Sequence, residues 1–285
     1  MKLEIMHTTR YMYEGPVTDS VNEIRLTPRT NYRQACYHQS IAIEPNAALY
    51  TYEDYFGNRV HAFTVNHEHR ELVIRTRSTV VTRDQESWLR ERLDPESEQM
   101  MLDDESFQNR YMEFLLNTPY TLADLAVVNY MNSIKPEENG MLEWVIELSH
   151  RIRKDFKYSP NSTQVNTTVL EFLEIGEGVC QDFAHLMITV CRARGIPARY
   201  VSGYHFVGDL QSPTADFEQA SHAWVEAHIP GIGWIGFDPT NNGMVNWRYV
   251  KLGHGRDYHD IVPVKGVYFG DAAHQLQVTV DVKKL

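Results

Sequence analysis

The chain has 285 residues, of which 42% are hydrophobic and 23% are charged, a composition typical of a soluble globular protein. Its 27 Lys and Arg residues face 38 Asp and Glu residues, which gives a formal net charge of -11. Because nucleic acids and anionic membranes attract basic surfaces, this charge argues against either of them as the main partner. The length predicts two domains, since most domains have roughly 100–200 residues.

The sequence also lacks the usual signals for export, membrane insertion and metal binding. No apolar run is long enough for a transmembrane helix, and the first residues have no signal-peptide pattern, so we expect a cytoplasmic protein. The three cysteines, Cys36, Cys180 and Cys191, are too few and too odd in number for a disulfide framework. No Cys or His spacing is typical of a metal site, and we predict neither a metal nor a cofactor.

Residues 1–83 predict an antiparallel β-sandwich-like domain. Short segments rich in β-forming residues, many of them alternating, are separated by turn signals such as Glu14-Gly15-Pro16. The predicted strands are Leu3 to Tyr13, Val21 to Leu26, Tyr37 to Ile43, Val60 to Val65 and Leu72 to Thr82.

The composition changes after residue 83. Residues 84–110 are polar and charged, and they predict a linker or a solvated helix. Residues 111–285 predict an α+β catalytic domain, in which helices come first and strands follow. The predicted helices are Leu122 to Met131, Met141 to Phe156, Thr168 to Glu174 and Cys180 to Arg194. The predicted strands are Ala198 to Phe206, Ser221 to Ile229, Trp234 to Asp238 and Gln275 to Lys283.

One cysteine occupies a position suited to nucleophilic chemistry. In the segment from Gly176 to Leu186, a glycine-containing loop delivers Cys180 to the first turn of a predicted helix. The unpaired N–H groups and partial positive charge at a helix start favour the thiolate, which is the reactive form of the side chain. The same N–H groups can stabilise an oxyanion. A small buried cysteine at a helix start is the alternative interpretation of this segment alone.

A predicted hairpin supplies the other two candidate residues. His222 begins one strand, and Asp238 ends the next. With a three-residue loop from Pro230 to Ile232, His222 and Asp238 lie diagonally on the same face, within reach of each other. A two- or four-residue loop would place them on opposite faces. If the loop is odd, His222 can act as the base for Cys180, and Asp238 can orient its imidazole.

The order of these motifs resembles the core of the transglutaminase-like superfamily, over about residues 110–260. Four segments carry the core resemblance: Gly178 to His185, Gly195 to Tyr204, Ser221 to Glu226 and Trp234 to Thr240. The first 83 residues resemble the β domain that precedes this core in bacterial members. The matching pieces there are Leu26 to Arg29 and Asp54 to Asn58, and Gly255 to Asp260 matches near the end of the chain.

This resemblance implies a papain-like fold and a covalent thioester intermediate. By position in the motifs, Cys180 corresponds to the nucleophile, His222 to the base and Asp238 to the orienting acid. Animal members use a tryptophan upstream of the cysteine as an oxyanion donor, and here that region offers Tyr158, with Gln164 as a second candidate. Asp182 and His185 also match the family, but capping and packing explain them equally well.

Three functions remain open at this level. The first is hydrolysis of a peptide or amide bond in a peptide or protein substrate, which the resemblance favours. The second is crosslinking, in which an amine accepts a glutamine acyl group from the same thioester. The third is a peptide-binding module whose triad is idle. The sequence does not decide the oligomeric state or the role of the first domain.

Overall fold

The computed structural model describes residues 1–84, 92–135, 140–208 and 221–285. The chain has an α+β fold with a β-rich N-terminal part and a papain-like core. The strands of the first part are β1 (Lys2–Ile24), β2 (Gln34–Glu44), β3 (Tyr50–Glu53), β4 (Arg59–Val65) and β5 (His69–Thr82). The middle of the chain forms α1 (Pro95–Asp103), α2 (Glu105–Tyr111), α3 (Leu125–Ser133), α4 (Met141–Asp155), β6 (Lys157–Tyr158), α5 (Val169–Ile175), β7 (Glu177–Gly178) and α6 (Cys180–Ala193). The last part forms β8 (Ala198–His205), β9 (His222–Ile229), β10 (Gly233–Asp238), β11 (Gly243–Met244), β12 (Tyr249–Gly255), β13 (Val264–Phe269) and β14 (His274–Lys284).

The long strand β1 is shared by two antiparallel sheet halves. Its first half pairs with β5 on one side and β14 on the other, and its second half pairs with β4 and β13. Apolar side chains from both halves meet in one core, including Leu3, Ile74, Phe63 and Val282. This arrangement confirms the predicted β-sandwich-like domain. The predicted turn at Glu14-Gly15-Pro16 is wrong, because β1 runs through it.

The reason for this error is a change of pairing partner within one strand. The register of β1 against β5 shifts between Met12 and Val17, and the proline falls inside this irregular stretch. A bulge tolerates a proline, which a regular central ladder does not. The turn-forming residues therefore mark a bend of the strand rather than its end.

Two strands near the C-terminus belong to the N-terminal sheet. Residues Leu3 to Tyr13 of β1 pair with β14 from His274 to Lys284, and Ile24 pairs with Val264 of β13. The sequence-based boundary at residue 110 assigns these strands to the catalytic domain, whereas their hydrogen bonds are to β1. The chain therefore forms β1 to β5 of the N-terminal sheet, then the core domain, and finally the strands β13 and β14, which join the N-terminal sheet.

Most of the described part of residues 84–110 forms the two helices α1 and α2, with non-helical residues before α1 and between the helices. The helices α1 and α2 expose most of their surface, but Leu102 and Phe107 are buried in the core of the second domain. The buried Glu98 carboxylate accepts a hydrogen bond of 2.7 Å from the Met141 N–H at the start of α4. The segment is thus anchored to the papain-like core by apolar contacts and by one buried hydrogen bond.

The core domain packs helix α6 against an antiparallel sheet. Within the described residues the strand order is β11-β10-β9-β8-β12. Helix α6 is buried from Gln181 to Arg192, on every side, as expected for a helix enclosed by other elements. Its neighbours are the inner face of β8 and β9 and the helices α3, α4 and α5. The first residue of this central helix is Cys180.

The N-terminal domain covers the outer edge of the core sheet. Strand β12 is an edge strand, and two amide side chains bind its backbone. Gln34 donates to the Lys251 carbonyl and accepts from the Lys251 N–H, both at 2.8 Å. Asn58 bonds in the same way to the carbonyl and N–H of His254, at 2.8 and 2.9 Å. These amides occupy backbone groups of β12 that a neighbouring strand would otherwise bind. Less of the edge is therefore free to pair with a strand of another chain.

We expect the fragment of residues 110–285 to be poorly soluble and to unfold below the temperature of the full chain. Removing β1 leaves β13 and β14 without their sheet and exposes Tyr204, Phe206 and Val250, which are buried in the shared core. Soluble yield and thermal unfolding of the fragment and the full chain measure this effect. A soluble fragment with the unfolding temperature of the full chain would contradict the prediction.

Candidate active site

The loop before Cys180 is fixed by a buried carboxylate. Asp182 accepts hydrogen bonds from the Val179 N–H at 2.8 Å and from the Thr163 hydroxyl at 2.6 Å. Burial raises the pKa of Asp182, while the two hydrogen bonds oppose that shift. A Cβ atom at Gly178 would lie 2.6 Å from the Asp182 carboxylate, so only glycine fits there. Asp182 therefore acts as a helix cap that sets the position of Cys180.

The hairpin of β9 and β10 has the loop length that the site requires. Gly233 pairs with Ile229, and Phe237 pairs with Val225, which leaves a three-residue loop of 230–232. This register is the odd-loop alternative, which the pairing of His222 with Asp238 requires. His222 and Asp238 lie on the same face of the sheet, and His222 Nε2 donates to Asp238 Oδ2 over 2.7 Å. The alternative loop lengths are excluded.

The carboxylate of Asp238 is fully buried and is held by several donors. Its Oδ1 atom accepts from the backbone N–H groups of Thr240 at 2.9 Å and Asn241 at 3.1 Å. Its Oδ2 atom accepts from His222, from the Asn241 amide at 2.7 Å and from the Tyr249 hydroxyl at 2.8 Å. Although burial alone would raise the pKa of Asp238, His222 and these hydrogen bonds hold it well below its usual range.

His222 connects this carboxylate to the start of α6. Burial acts to lower the pKa of His222, but the Asp238 charge and the hydrogen bonds that His222 makes with Asp238 and Cys180 raise it from 6.5 to about 10. Because Nε2 bonds to Asp238, the other ring nitrogen is left for the Cys180 thiol. Cys180 itself is half-buried at the edge of the core. The structure therefore brings all three sequence-predicted residues into one contact chain.

Aromatic rings enclose the imidazole. The rings of Trp224 and His222 lie 6.3 Å apart between centroids and are nearly parallel, and Tyr249 lies 6.2 Å away. His205 stacks on Tyr249 at 4.3 Å. Burial lowers the pKa of His205 to about 4, so this second histidine stays neutral near pH 7 and does not compete for the proton. The low polarity of these walls strengthens the pairing of His222 with Asp238.

The two predicted oxyanion donors lie on segments that adjoin the Cys180 loop. Tyr158 pairs with Gly178 between β6 and β7, and its ring centroid is 6.5 Å from that of Phe183. The Gln164 N–H donates to the Thr167 hydroxyl at 2.9 Å. These contacts do not assign the oxyanion role to either side chain, and both roles remain predictions.

His185, the other family-matching residue, has a structural setting. It is buried on α6 between the rings of Tyr120 and Tyr200, and its Nε2 accepts from the Tyr258 N–H at 3.2 Å. Burial lowers its pKa to about 3, which keeps the ring neutral. These contacts are those expected of a packing residue, so packing is sufficient to explain His185.

Asn241 and Tyr249 support Asp238, and neither was predicted from the sequence. A local signal existed for Asn241, because Asp-Pro-Thr-Asn is a turn in which the first side chain often bonds to backbone N–H groups two and three residues later. No local signal existed for Tyr249, which reaches Asp238 from β12 at the far edge of the sheet. Tyr249 and Asp238 come together only because of the order of the strands in the sheet.

The part of the chain that the structure describes contains neither a metal-binding cluster nor a membrane-spanning helix. In residues 1–84, 92–135, 140–208 and 221–285, no cluster of three or more His, Cys, Asp or Glu side chains is arranged to bind a metal ion. Over the same ranges, no helix has the length and apolar character needed to cross a bilayer.

We expect His222 to titrate far above its ordinary pKa of 6.5. A raised pKa means that the folded state keeps a proton which the unfolded state loses above pH 6.5. The stabilisation is thus complete below pH 6.5, declines as the pH rises and is lost above about pH 10. NMR titration of labelled histidine, with unfolding free energies from pH 6 to 10, measures both effects.

The variant Asp238→Asn should return the pKa of His222 toward or below 6.5 and remove this pH slope. Asp281→Asn is a matched control, because Asp281 lies on β14 beside Lys283, in the N-terminal sheet. A wild-type His222 that titrates near 6.5 would refute the ion-pair description.

Comparisons with known proteins identify the family of this chain. Residues 3–81 match the bacterial transglutaminase-like N-terminal region, and residues 128–239 match the transglutaminase-like superfamily. The chain is 36% identical to an uncharacterized protein of Mycobacterium leprae over 100% of its length and 99% of that protein. It is 34% identical to an uncharacterized protein of Mycobacterium tuberculosis over 99% of its length and 92% of that protein.

A solved structure has the same fold over the whole chain. It is a candidate cysteine protease from Cytophaga hutchinsonii with a TM-score of 0.75 and 24% identity, covering 100% of this chain and 91% of that one. A shorter similarity, 42% identity over 67 residues, covers 22% of this chain and 10% of a protein-glutamine gamma-glutamyltransferase from Pseudomonas aeruginosa. On these matches, the chain belongs to the transglutaminase-like superfamily, with the bacterial transglutaminase-like N-terminal region ahead of the core.

Proposed function

We propose that the protein is a cysteine-dependent acyl-transfer enzyme with Cys180 as nucleophile, His222 as acid and base, and Asp238 as the orienting residue. The observation that carries this proposal is the hydrogen bond of 2.7 Å between His222 and the buried Asp238. The same imidazole is hydrogen-bonded to Cys180. A histidine that is held by a buried carboxylate on one side and meets a helix-start thiol on the other is suited to thiolate chemistry.

The first half-reaction follows from these positions. The Cys180 sulfur attacks the carbonyl carbon of a peptide or amide bond, and the oxygen of that carbonyl becomes negatively charged. The proposed donors to this charge are N–H groups at the start of α6, where a helix leaves such groups without intrahelical partners. The C–N bond then breaks, and the protonated His222 gives its proton to the leaving amine. The products are a thioester on Cys180 and a free amine.

The second half-reaction decides the activity, and we propose hydrolysis. His222 takes a proton from water as the water oxygen attacks the thioester carbon; the C–S bond then breaks, which releases the carboxylic acid product and regenerates the Cys180 sulfur. Support for a peptide or amide hydrolase comes from the fold shared with the candidate cysteine protease of Cytophaga hutchinsonii. Its substrate would be a peptide or protein, and a cytoplasmic location remains a prediction from the sequence.

Crosslinking is the second candidate, because a specific similarity favours it. The 67 residues shared with the Pseudomonas aeruginosa glutamyltransferase have 42% identity. In that reaction a lysine amine, rather than water, attacks the thioester. The Cys180–His222–Asp238 arrangement serves both reactions, so the acceptor must be determined by experiment.

We expect iodoacetamide at pH 7 to modify Cys180 at least about tenfold faster than Cys36 or Cys191. Burial raises the pKa of the Cys36 thiol, and it raises the pKa of the Cys191 thiol to about 12, so both stay protonated. Peptide mapping by mass spectrometry gives the three rates. Equal rates would remove the basis for the nucleophile assignment.

His222→Gln should slow modification of Cys180, because the imidazolium partner of the thiolate is lost. His67→Gln is the control, since His67 is exposed in the N-terminal domain.

The acceptor is tested by incubating the enzyme with a glutamine-containing peptide library and a labelled primary amine. We expect release of ammonia or cleaved peptide to exceed incorporation of the amine, and Cys180→Ala to abolish both. Circular dichroism checks that the variant is folded. Dominant amine incorporation would establish the crosslinking alternative, whereas turnover by Cys180→Ala would reject the thioester mechanism for either reaction.

A further inference from the structure

A pocket lies between the two domains, on the sheet face that also carries His222 and Asp238. Its volume is about 220 Å³. One wall is the segment of residues 29–34 of the N-terminal domain, and the opposite wall is the core sheet. Trp224 and Tyr249 separate the pocket from the candidate active site, and their rings are 5.3 Å apart. The mouth includes the exposed residue Asn31.

The lining of this pocket is strongly basic. Arg29, Arg33, Arg199 and Lys251 line it together with one carboxylate, Glu226. This excess of positive charge occurs in a chain whose net charge is -11. The cationic lining is therefore a local feature, opposite in sign to the protein as a whole.

The single carboxylate is shared by two of the cations. Glu226 Oε2 accepts from Arg199 Nε at 2.7 Å and from Lys251 Nζ at 2.6 Å. Both cations are largely buried, at 15% and 9% side-chain exposure. Burial and the neighbouring Arg199 charge lower the pKa of Lys251, Glu226 opposes them, and the net result is a pKa of about 7. One carboxylate does not balance the charge around it.

The other two cations have neutral partners. Arg29 donates to the Phe56 carbonyl at 3.2 Å and to Asn58 Oδ1 at 3.0 Å. Arg33 donates to the Asn246 carbonyl at 2.9 Å, and its buried Nε atom has no partner. Asp54, which is paired with Arg25 at 3.4 Å, acts on Arg29 from outside the pocket lining, and Asp84 acts on Arg33 in the same way.

Uncompensated buried charge costs several kcal/mol per ion, so an anion entering this space would be stabilised by the cations it meets. Guanidinium groups match carboxylate and phosphate oxygens in a two-point geometry. Aromatic side chains complete the walls, with Arg199 stacked on Trp234 at 4.0 Å. The volume lies below the roughly 300–1,000 Å³ of common drug-sized sites, which favours a small ligand.

We propose that this interdomain pocket binds a small oxyanion carrying two or three negative charges. The chemistry shared by its candidate ligands is a set of carboxylate or phosphate oxygens that pair with Arg33, Arg199 and Lys251. The ligand would also tie the segment of residues 29–34 to the core sheet. This site is separate from the proposed thioester chemistry and does not depend on it.

The test is isothermal titration calorimetry of the full chain with citrate and with pyrophosphate, at ionic strength held constant with sodium chloride. We expect saturable one-site binding with a Kd at or below about 1 mM for at least one of them. Binding of citrate alone would identify a carboxylate site, and binding of pyrophosphate alone would identify a phosphate site. Absence of saturable binding to both would overturn the proposal.

Arg33→Gln should weaken binding about tenfold or more, because it removes the partly exposed cation with an unpaired nitrogen. Arg75→Gln is the matched control, since Arg75 lies on β5 and is paired with Glu44 on the N-terminal sheet. Lys251→Met removes a second pocket charge and should weaken binding if circular dichroism shows that it is folded. Equal affinity of Arg33→Gln and Arg75→Gln would reject the pocket as the binding site.

Discussion

The arrangement of the candidate site depends on one buried charge, the carboxylate of Asp238. A carboxylate without solvent costs several kcal/mol unless donors surround it. Here the donors come from His222 on β9, from the turn at Thr240 and Asn241, and from Tyr249 on β12. The same hydrogen bonds that compensate the charge also fix the imidazole, so stability and site geometry are coupled in this part of the sheet.

Helix α6 supplies the other fixed point. It is enclosed on all sides, and its first residue meets His222 where the sheet and helix come together. Asp182 and Gly178 fix the backbone just before that residue, the first by hydrogen bonds and the second by leaving no room for a side chain. A reactive thiol is thus held by rigid elements rather than by a loose loop, which favours a defined reaction geometry.

The N-terminal domain makes specific contacts with the core domain. Gln34 and Asn58 pair with the backbone of β12, the strand that also carries Tyr249. Strands β13 and β14 pair with β1 and complete the N-terminal sheet. The contact surface between the domains encloses the basic pocket, so one interface supports the edge of the core sheet and forms a candidate anion site.

The sequence by itself determined the local features of this protein. The spacing of apolar residues predicted the helices and most strands, and the order of motifs predicted Cys180, His222 and Asp238 as a set. The reciprocal hydrogen bonds of Thr168 and Glu171 at the start of α5 likewise join residues three positions apart in the chain. These features depend on residues close in the chain, whose side chains alternate or repeat with a fixed period.

Only the tertiary structure decided the features that depend on distant residues. The sequence allowed odd or even hairpin loops, and backbone pairing selected the three-residue loop that unites His222 with Asp238. Tyr249 reaches Asp238 only because β12 belongs to the same sheet. The pairing of β14 with β1 and the clustering of cations between domains likewise join residues far apart in the chain. Periodicity records which face of an element is buried, but not which distant element covers it.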